Sequence, residues 1–245
     1  NGLYRLGQGE ASADGIKNAK FLPTSMLGLS IWDLQNYDDE LIIPLYSGCY
    51  AYQKGESQKI SPLLFHKYAQ LRSRRDPQRI FIGGETGLMS IYKQNDGWQD
   101  EGFLLNTPRD IYYLEEDDTG HLWAATLDGR VYRFSFSCHN NRIDTSKTRT
   151  KTFASEALVT DGTDTDLTWF RNTLYMGSDK GLHQYDPATE QFNKVDFGSD
   201  FLREAAVVRL DKLNDSTMWV HRRNDRTTAF FTFSGDSVVC TTRPF

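Results

Sequence analysis

The chain has 245 residues, of which 38% are hydrophobic, 13% aromatic and 25% charged, the composition of a folded chain with room for one large domain or two small ones. Against 28 Lys and Arg stand 33 Asp and Glu, and the net charge of −5 disfavours the broad basic surface that a nucleic-acid binder needs. The longest apolar runs, Leu41-Ile42-Ile43 and Ala205-Ala206-Val207-Val208, fall far short of the roughly 20 residues of a membrane helix, so no direct membrane insertion is expected.

At the start, Asn1-Gly2-Leu3-Tyr4 shows no initiator Met and no charged-then-apolar leader, and reads as the turn and strand of a chain processed or excised from something longer. A strand is expected over Leu29 to Leu34, around Trp32. Short runs of β-branched and aromatic residues follow, each ending in a similar turn. Leu41 to Tyr46 leads to Ser47-Gly48-Cys49-Tyr50, and Arg79 to Gly84 leads to Thr86-Gly87-Leu88-Met89. His121 to Thr126 leads to Asp128-Gly129-Arg130-Val131, and Thr173 to Ser178 leads to Lys180-Gly181-Leu182-His183. A further copy, Thr217 to Arg222, runs into Thr227 to Phe233 without its turn glycine, and Ser237 to Thr241 reads as an outer strand.

The turn glycines at 2, 48, 87, 129 and 181 are spaced by 46, 39, 42 and 52 residues, a mean of about 45. That is the period of a four-stranded propeller blade. The expected fold is therefore an all-β propeller of four-stranded blades, with five to six blades visible and the whole forming part of a larger ring of about seven. Approximate blades are 1–24 (incomplete), 25–62, 63–104, 105–156, 157–198 and 199–245. Each blade packs on two neighbours, so both faces of its strands must be apolar, and the run from His121 to Ala125 accordingly fails strict alternation. Trp123 and Trp219 occupy one strand of the repeat, Trp32 and Trp169 the preceding one, and all four read as core.

The longest polar stretch, Ser135 to Asp166, holds Arg142, Lys147, Arg149 and Lys151 and reads as a solvated loop with an outer strand near Thr150 to Phe153. Arg72-Ser73-Arg74-Arg75 is a second cationic group, read first as a solvated face, with a partner or anion site as the alternative. Cys49, Cys138 and Cys240 are too few and too far apart for a zinc knuckle or a disulfide framework, and read as small buried side chains. The five histidines are scattered singly, so no metal site is expected.

The segment Ile111 to Phe134, with Glu116-Asp117, Gly120, Leu122-Trp123 and Gly129 in place, resembles the two-component regulator propeller repeat. Asp76 to Leu88, followed by Gly97-Trp98 and Glu101-Gly102, is similar to blades of large bacterial sensors that also carry a triple-tyrosine module. Elsewhere the match is partial, Asp38-Asp39-Glu40, Asp76-Pro77-Gln78 and Asn214-Asp215-Ser216 replacing the first turn. The resemblance implies a periplasmic, extracytoplasmic sensor region of an inner-membrane receptor. Its partners would be the remaining blades, a downstream triple-tyrosine module, a second copy in a homodimer, and an oligosaccharide or other small ligand.

Blades specify architecture and loops specify ligands, so the function must be sought in the connections. The first expectation is a ligand-sensing module without catalysis; the alternatives are a propeller glycosidase or polysaccharide lyase, and a protein-binding scaffold. Catalysis would need inward-facing paired carboxylates. Glu115 to Asp118 and Asp38 to Glu40 read instead as turn formers, leaving Asp161 to Asp166 as the one acidic run placed to approach an inner strand. Loops between second and third strands, with those leading into first strands, are the expected ligand face. They contribute Tyr46, Glu85, Thr126, Asp128, Asp179, Lys180 and Arg222 from the former, and Arg109 and Asp166 from the latter. No nucleotide-binding or serine-hydrolase motif occurs, and no cofactor is expected.

Overall fold

A computed structural model describes residues 2–6, 10–12, 15–17, 21–31, 33–62, 67–95, 97–154, 158, 165–223, 225–235 and 237–242. The chain begins with β1 (Gly2–Leu6), a small hairpin of β2 (Glu10–Ser12) and β3 (Gly15–Lys17), and β4 (Phe21–Leu27), which pairs back on β1. Five antiparallel four-stranded sheets follow. Blade I is β5 (Gln35–Tyr37), β6 (Glu40–Leu45), β7 (Gly48–Gln53) and β8 (Glu56–Ser61). Blade II is β9 (Lys67–Arg72), β10 (Arg79–Gly84), β11 (Gly87–Gln94) and β12 (Gly97–Asn106).

Blade III has β13 (Ile111–Glu116), β14 (Leu122–Thr126) and β15 (Val131–Ser135), then a hairpin of β16 (Cys138–His139) and β17 (Arg142–Ile143), and finally β18 (Arg149–Phe153) as its fourth strand. Blade IV is β19 (Asp166–Phe170), β20 (Thr173–Ser178), β21 (Gly181–Asp186) and β22 (Gln191–Lys194). Blade V is β23 (Val207–Asn214), β24 (Thr217–Arg222), β25 (Thr228–Ser234) and β26 (Ser237–Thr242). First strands of successive blades touch, β5 to β9, β9 to β13, β13 to β19 and β19 to β23, so they form the hub and the fourth strands the rim.

Hydrophobic packing lies between blades. In β14, Ala124 packs towards blade II with Phe81 and Leu88, while its neighbours Trp123 and Ala125 pack towards blade IV with Leu174 and Met176. A strand apolar on both faces is the result, and Trp123 keeps 1% of its surface exposed. Where blades approach most closely a side chain is excluded: a Cβ on Gly83 would lie 2.5 Å from Ile111 Cγ2, and one on Gly177 2.7 Å from Val207 Cγ1. The recurring turn depends on Gly87 in the same way, since its φ is +148° and a Cβ would overlap the Leu105 carbonyl. In blade V, which lacks the glycine, Arg226 takes the positive φ of 55°.

Several expectations need correction. Among the described residues of the segment from Leu29 to Leu34 none is in a strand; Asp33 Oδ1 accepts the Leu34 N–H, and the strand begins at Gln35. Trp32 lies outside the described residues, as do residues 161–164 of the acidic run. Of the cysteines only Cys49 is buried; Cys138 is exposed on the inserted hairpin and Cys240 half-buried on the rim strand β26. The stretch after Ser135 is more ordered than a loop, because Asp144 Oδ1 accepts the N–H and hydroxyl of Ser146 and starts a short 3-10 turn over Thr145–Lys147.

Candidate functional site

Strand alternation sorts the connections into two edges of the ring. First-to-second and third-to-fourth connections share one edge, the lower; second-to-third connections and the links between blades share the upper. On the lower edge of blade III, Asp117 organises its turn. Its Oδ1 accepts the N–H groups of Thr119 and His121, both at 2.9 Å, and its Oδ2 accepts the Trp123 indole N–H at 2.8 Å. Burial alone would raise its pKa, but the bonds from Thr119, Trp123 and His121 outweigh it and hold the carboxyl below its ordinary range.

The neighbouring carboxylates do other things. Glu116, buried, accepts the Ser73 hydroxyl at 2.8 Å and the Arg74 N–H at 2.5 Å, tying blade III to the turn of blade II. Asp118 accepts the Trp169 indole N–H from blade IV at 3.1 Å. Glu115 is pushed up to about 7, chiefly by burial and further by Asp166, while Arg74 and the Trp169 N–H pull it down. The expectation that this acidic run only forms a turn therefore holds for Asp117 and fails for its neighbours, whose partners come from other blades.

Two cavities open on this edge. One, of about 430 Å³, lies between blades II and III beside the inserted hairpin and is lined by Arg75, Arg79, Phe81, His121, Phe136 and Cys138 among others. The other, of about 620 Å³, lies between blades III and IV, where Trp169, Tyr185 and Pro187 face Asp118, Asn172 and Gln184. Both volumes fall in the usual range for small-molecule sites. The second combines ring faces with amide groups that each donate and accept, a set suited to an uncharged polar ring. Arg133 stiffens its wall: Nη1 donates to the Tyr185 hydroxyl at 2.8 Å, Nη2 to Glu190 Oε1 at 2.7 Å, and Lys151 also pairs with Glu190. Trp169, read from sequence as core, is half-buried and stands on this cavity.

At the hub, Asp166 Oδ2 accepts the Leu210 N–H at 2.7 Å and Oδ1 accepts the Leu167 N–H at 2.8 Å, joining blades IV and V. Arg209 approaches it, Nε to Oδ2 at 3.8 Å, and reaches the Tyr113 hydroxyl of blade III at 3.5 Å. Burial nevertheless pushes Asp166 up to about 7 against the pull of Leu210, Arg209 and Leu167.

The other residues expected at a ligand face spread over the upper edge. Tyr46 and Glu85 are exposed in the turns of blades I and II. Arg109, Thr126 and Asp128 do come together: Thr126 Oγ1 donates to Asp128 Oδ1 at 2.7 Å, and Asp128 Oδ2 lies 3.9 Å from Arg109 and 2.8 Å from Arg130. Asp179 and Lys180 pair loosely at 3.8 Å, and Arg222 binds Asp225 and donates to the Phe201 carbonyl at 3.0 Å. None of the nine lines either cavity described. Sequence reasoning passed over Trp169, Asn172, Gln184 and Tyr185; the available signal was Trp169 itself, one position before the end of its strand. No cluster of three metal-ligating side chains occurs among the described residues.

No protein-family model matches the sequence, and no curated protein matches it. Solved structures do. Virginiamycin B lyase from Staphylococcus aureus aligns with a TM-score of 0.61 at 12% identity, over 89% of this chain and 71% of that one. A protein from Lactobacillus plantarum aligns at 0.59 with 15% identity, over 98% and 80%. The WD40 β-propeller domain of Doa1 aligns at 0.54 with 11% identity, over 91% and 69%. At such identities the likeness concerns the fold, and with the radial array of four-stranded sheets it defines the chain as a β-propeller.

Proposed function

We propose that this propeller is the extracytoplasmic ligand-sensing region of a two-component type receptor, a recognition module without catalysis of its own, and that its ligand is a carbohydrate fragment. The observation that carries the reading is the cavity between blades III and IV, where the half-buried Trp169 ring stands beside Asp118, Asn172 and Gln184. A pyranose presents an apolar C–H face to such a ring and hydroxyls to such amides. The repeat-like sequence of blade III supports the receptor assignment, and β1, whose second edge pairs with no strand among the described residues, suits a ring completed by further blades of the parent protein. Periplasmic placement rests on the same resemblance.

One observation favours an enzyme instead: Glu115 and Asp166 are both pushed to about 7, chiefly by burial, with Asp166 adding to the rise of Glu115. Asp166 is only 2% exposed, however, and its two oxygens are held by backbone N–H groups, which leaves a substrate no access. Calorimetry with a panel of oligosaccharides tests the proposal. At least one should bind without turnover, and Trp169→Ala should weaken it at least tenfold, a loss of about 1.4 kcal/mol. Product formation, or binding indifferent to Trp169→Ala, would refute the reading.

A further inference from the structure

The cavity between blades III and IV is the end of a series. A third cavity, of about 490 Å³, lies under the connection of blade III and includes Lys147 and Arg149; it shares Ser135 and Phe136 with the cavity between blades II and III. That cavity in turn shares Thr119 and His121 with the one at Trp169. The three thus adjoin one another along the lower edge through shared lining residues, with the first turn of blade III, at Thr119 and His121, standing between the last two.

Charge is distributed unevenly along this path. Arg79 is paired with both Asp76 and Glu101, a cluster of net charge −1; Lys147 pairs with Asp144 at 3.0 Å. Arg75 and Arg149, which line the path, and Arg142 on the adjacent hairpin are exposed, and no ion-pair partner for them occurs among the described residues. The carboxylates nearby are occupied: Glu116 by the Ser73 hydroxyl and the Arg74 N–H of blade II, Asp144 by its turn and Lys147. Arg75 is fixed in place, its guanidinium donating to the Thr119 carbonyl on the wall between two cavities. The opposite end carries Asp117, Asp118 and Asp186 and the Trp169 ring. A uniformly anionic strand such as single-stranded nucleic acid, which wants cations along its whole track, would be repelled there. A chain with acidic groups at one end and a neutral ring at the other fits both halves.

We propose, building on the carbohydrate reading above, that the three cavities form one groove for a linear acidic oligosaccharide longer than a disaccharide. Its carboxylates meet Arg75 and Arg149 and a neutral ring lies on Trp169. Arginine is suited to this role because its planar fork donates two parallel hydrogen bonds to one carboxylate.

The test is calorimetry on the whole chain with a tetrasaccharide that carries galacturonate at two residues of one end and neutral residues at the other, its methyl-esterified counterpart, a neutral xylotetraose, and a single-stranded DNA tetramer, at low and high salt. The acidic tetrasaccharide should bind at least about tenfold more tightly than its ester, and lose that advantage as salt screens exposed charges. Arg75→Gln with Arg149→Gln should abolish the advantage while the ester binds as before. Both residues are exposed, and an unchanged thermal midpoint confirms that the variant is folded. Equal affinity for acid and ester, or an acid affinity untouched by the double substitution, would overturn the groove while leaving the carbohydrate reading standing. Failure of all three saccharides would overturn both, and tighter binding of the DNA would overturn the assignment to a saccharide.

Discussion

Replacing Asp166 with Asn isolates the cost of an acid at the hub. The folded carboxyl is pushed up to about 7 from an ordinary 3.8, and burial is the main cause. Its contribution to stability is therefore fully present below about pH 4 and is lost as pH rises towards 7, because the folded state binds a proton that the unfolded state has already released. At about 1.4 kcal/mol per pH unit the loss is on the order of 4 kcal/mol, about 3 of it above pH 5. Asn does not titrate, but its amide has one acceptor for the two N–H groups of Leu167 and Leu210, a cost of about 1–3 kcal/mol. Asp166→Asn should thus be the less stable protein at pH 5 and equal to or more stable than wild type at pH 8. Urea unfolding at half-unit intervals measures the gap. Parallel stability curves for the two proteins between pH 5 and 8 would refute the reasoning.

Glu116→Ala removes the acceptor for Ser73 and Arg74, and should cost roughly 2–4 kcal/mol of unfolding free energy measured in urea, with faster amide exchange across the turn of blade II. Gly83→Ala and Gly177→Ala should each lose about 1–3 kcal/mol, because the new methyl meets Ile111 or Val207 across a blade interface. Their effects should add in the double variant, since the two interfaces are different, and strong non-additivity in thermal unfolding would count against independent interfaces. Burial, with Lys194 adding to it, pushes the His183 imidazole down to about 4, so its ring should stay neutral through pH 5; nitrogen shifts that change between pH 7 and 5 would contradict that placement.

The repeat was legible because each of its turns is local chemistry: Asp117 with Thr119 and His121, Gly87 with its positive φ, and an apolar strand such as Arg79–Gly84 between them. Those features sit within a few residues of one another, so a single sequence displays them. The candidate site is assembled otherwise. Glu116 finds its partners 42 and 43 positions earlier, and Asp118 meets Trp169 51 positions later. A run of four acids therefore looks uniform in sequence while its members serve a turn, two interfaces and the hub. The expected ligand residues lie on the upper edge, whose turns carry varied polar residues, whereas the two cavities described lie on the lower edge between neighbouring blades, which no single blade encodes.

The connection between third and fourth strands holds the β16–β17 hairpin in blade III, and the β2–β3 hairpin lies between the paired β1 and β4. In blades I, II and V the paired strands are only two residues apart in the chain, Gln53 facing Glu56, Gln94 facing Gly97 and Ser234 facing Ser237. Added chain at this point lengthens only the rim, because the first strands are already positioned by their neighbours. It is therefore a natural port for grafting: a relative or an engineered variant can exchange the roof of the groove, and with it specificity, while the hub is inherited intact.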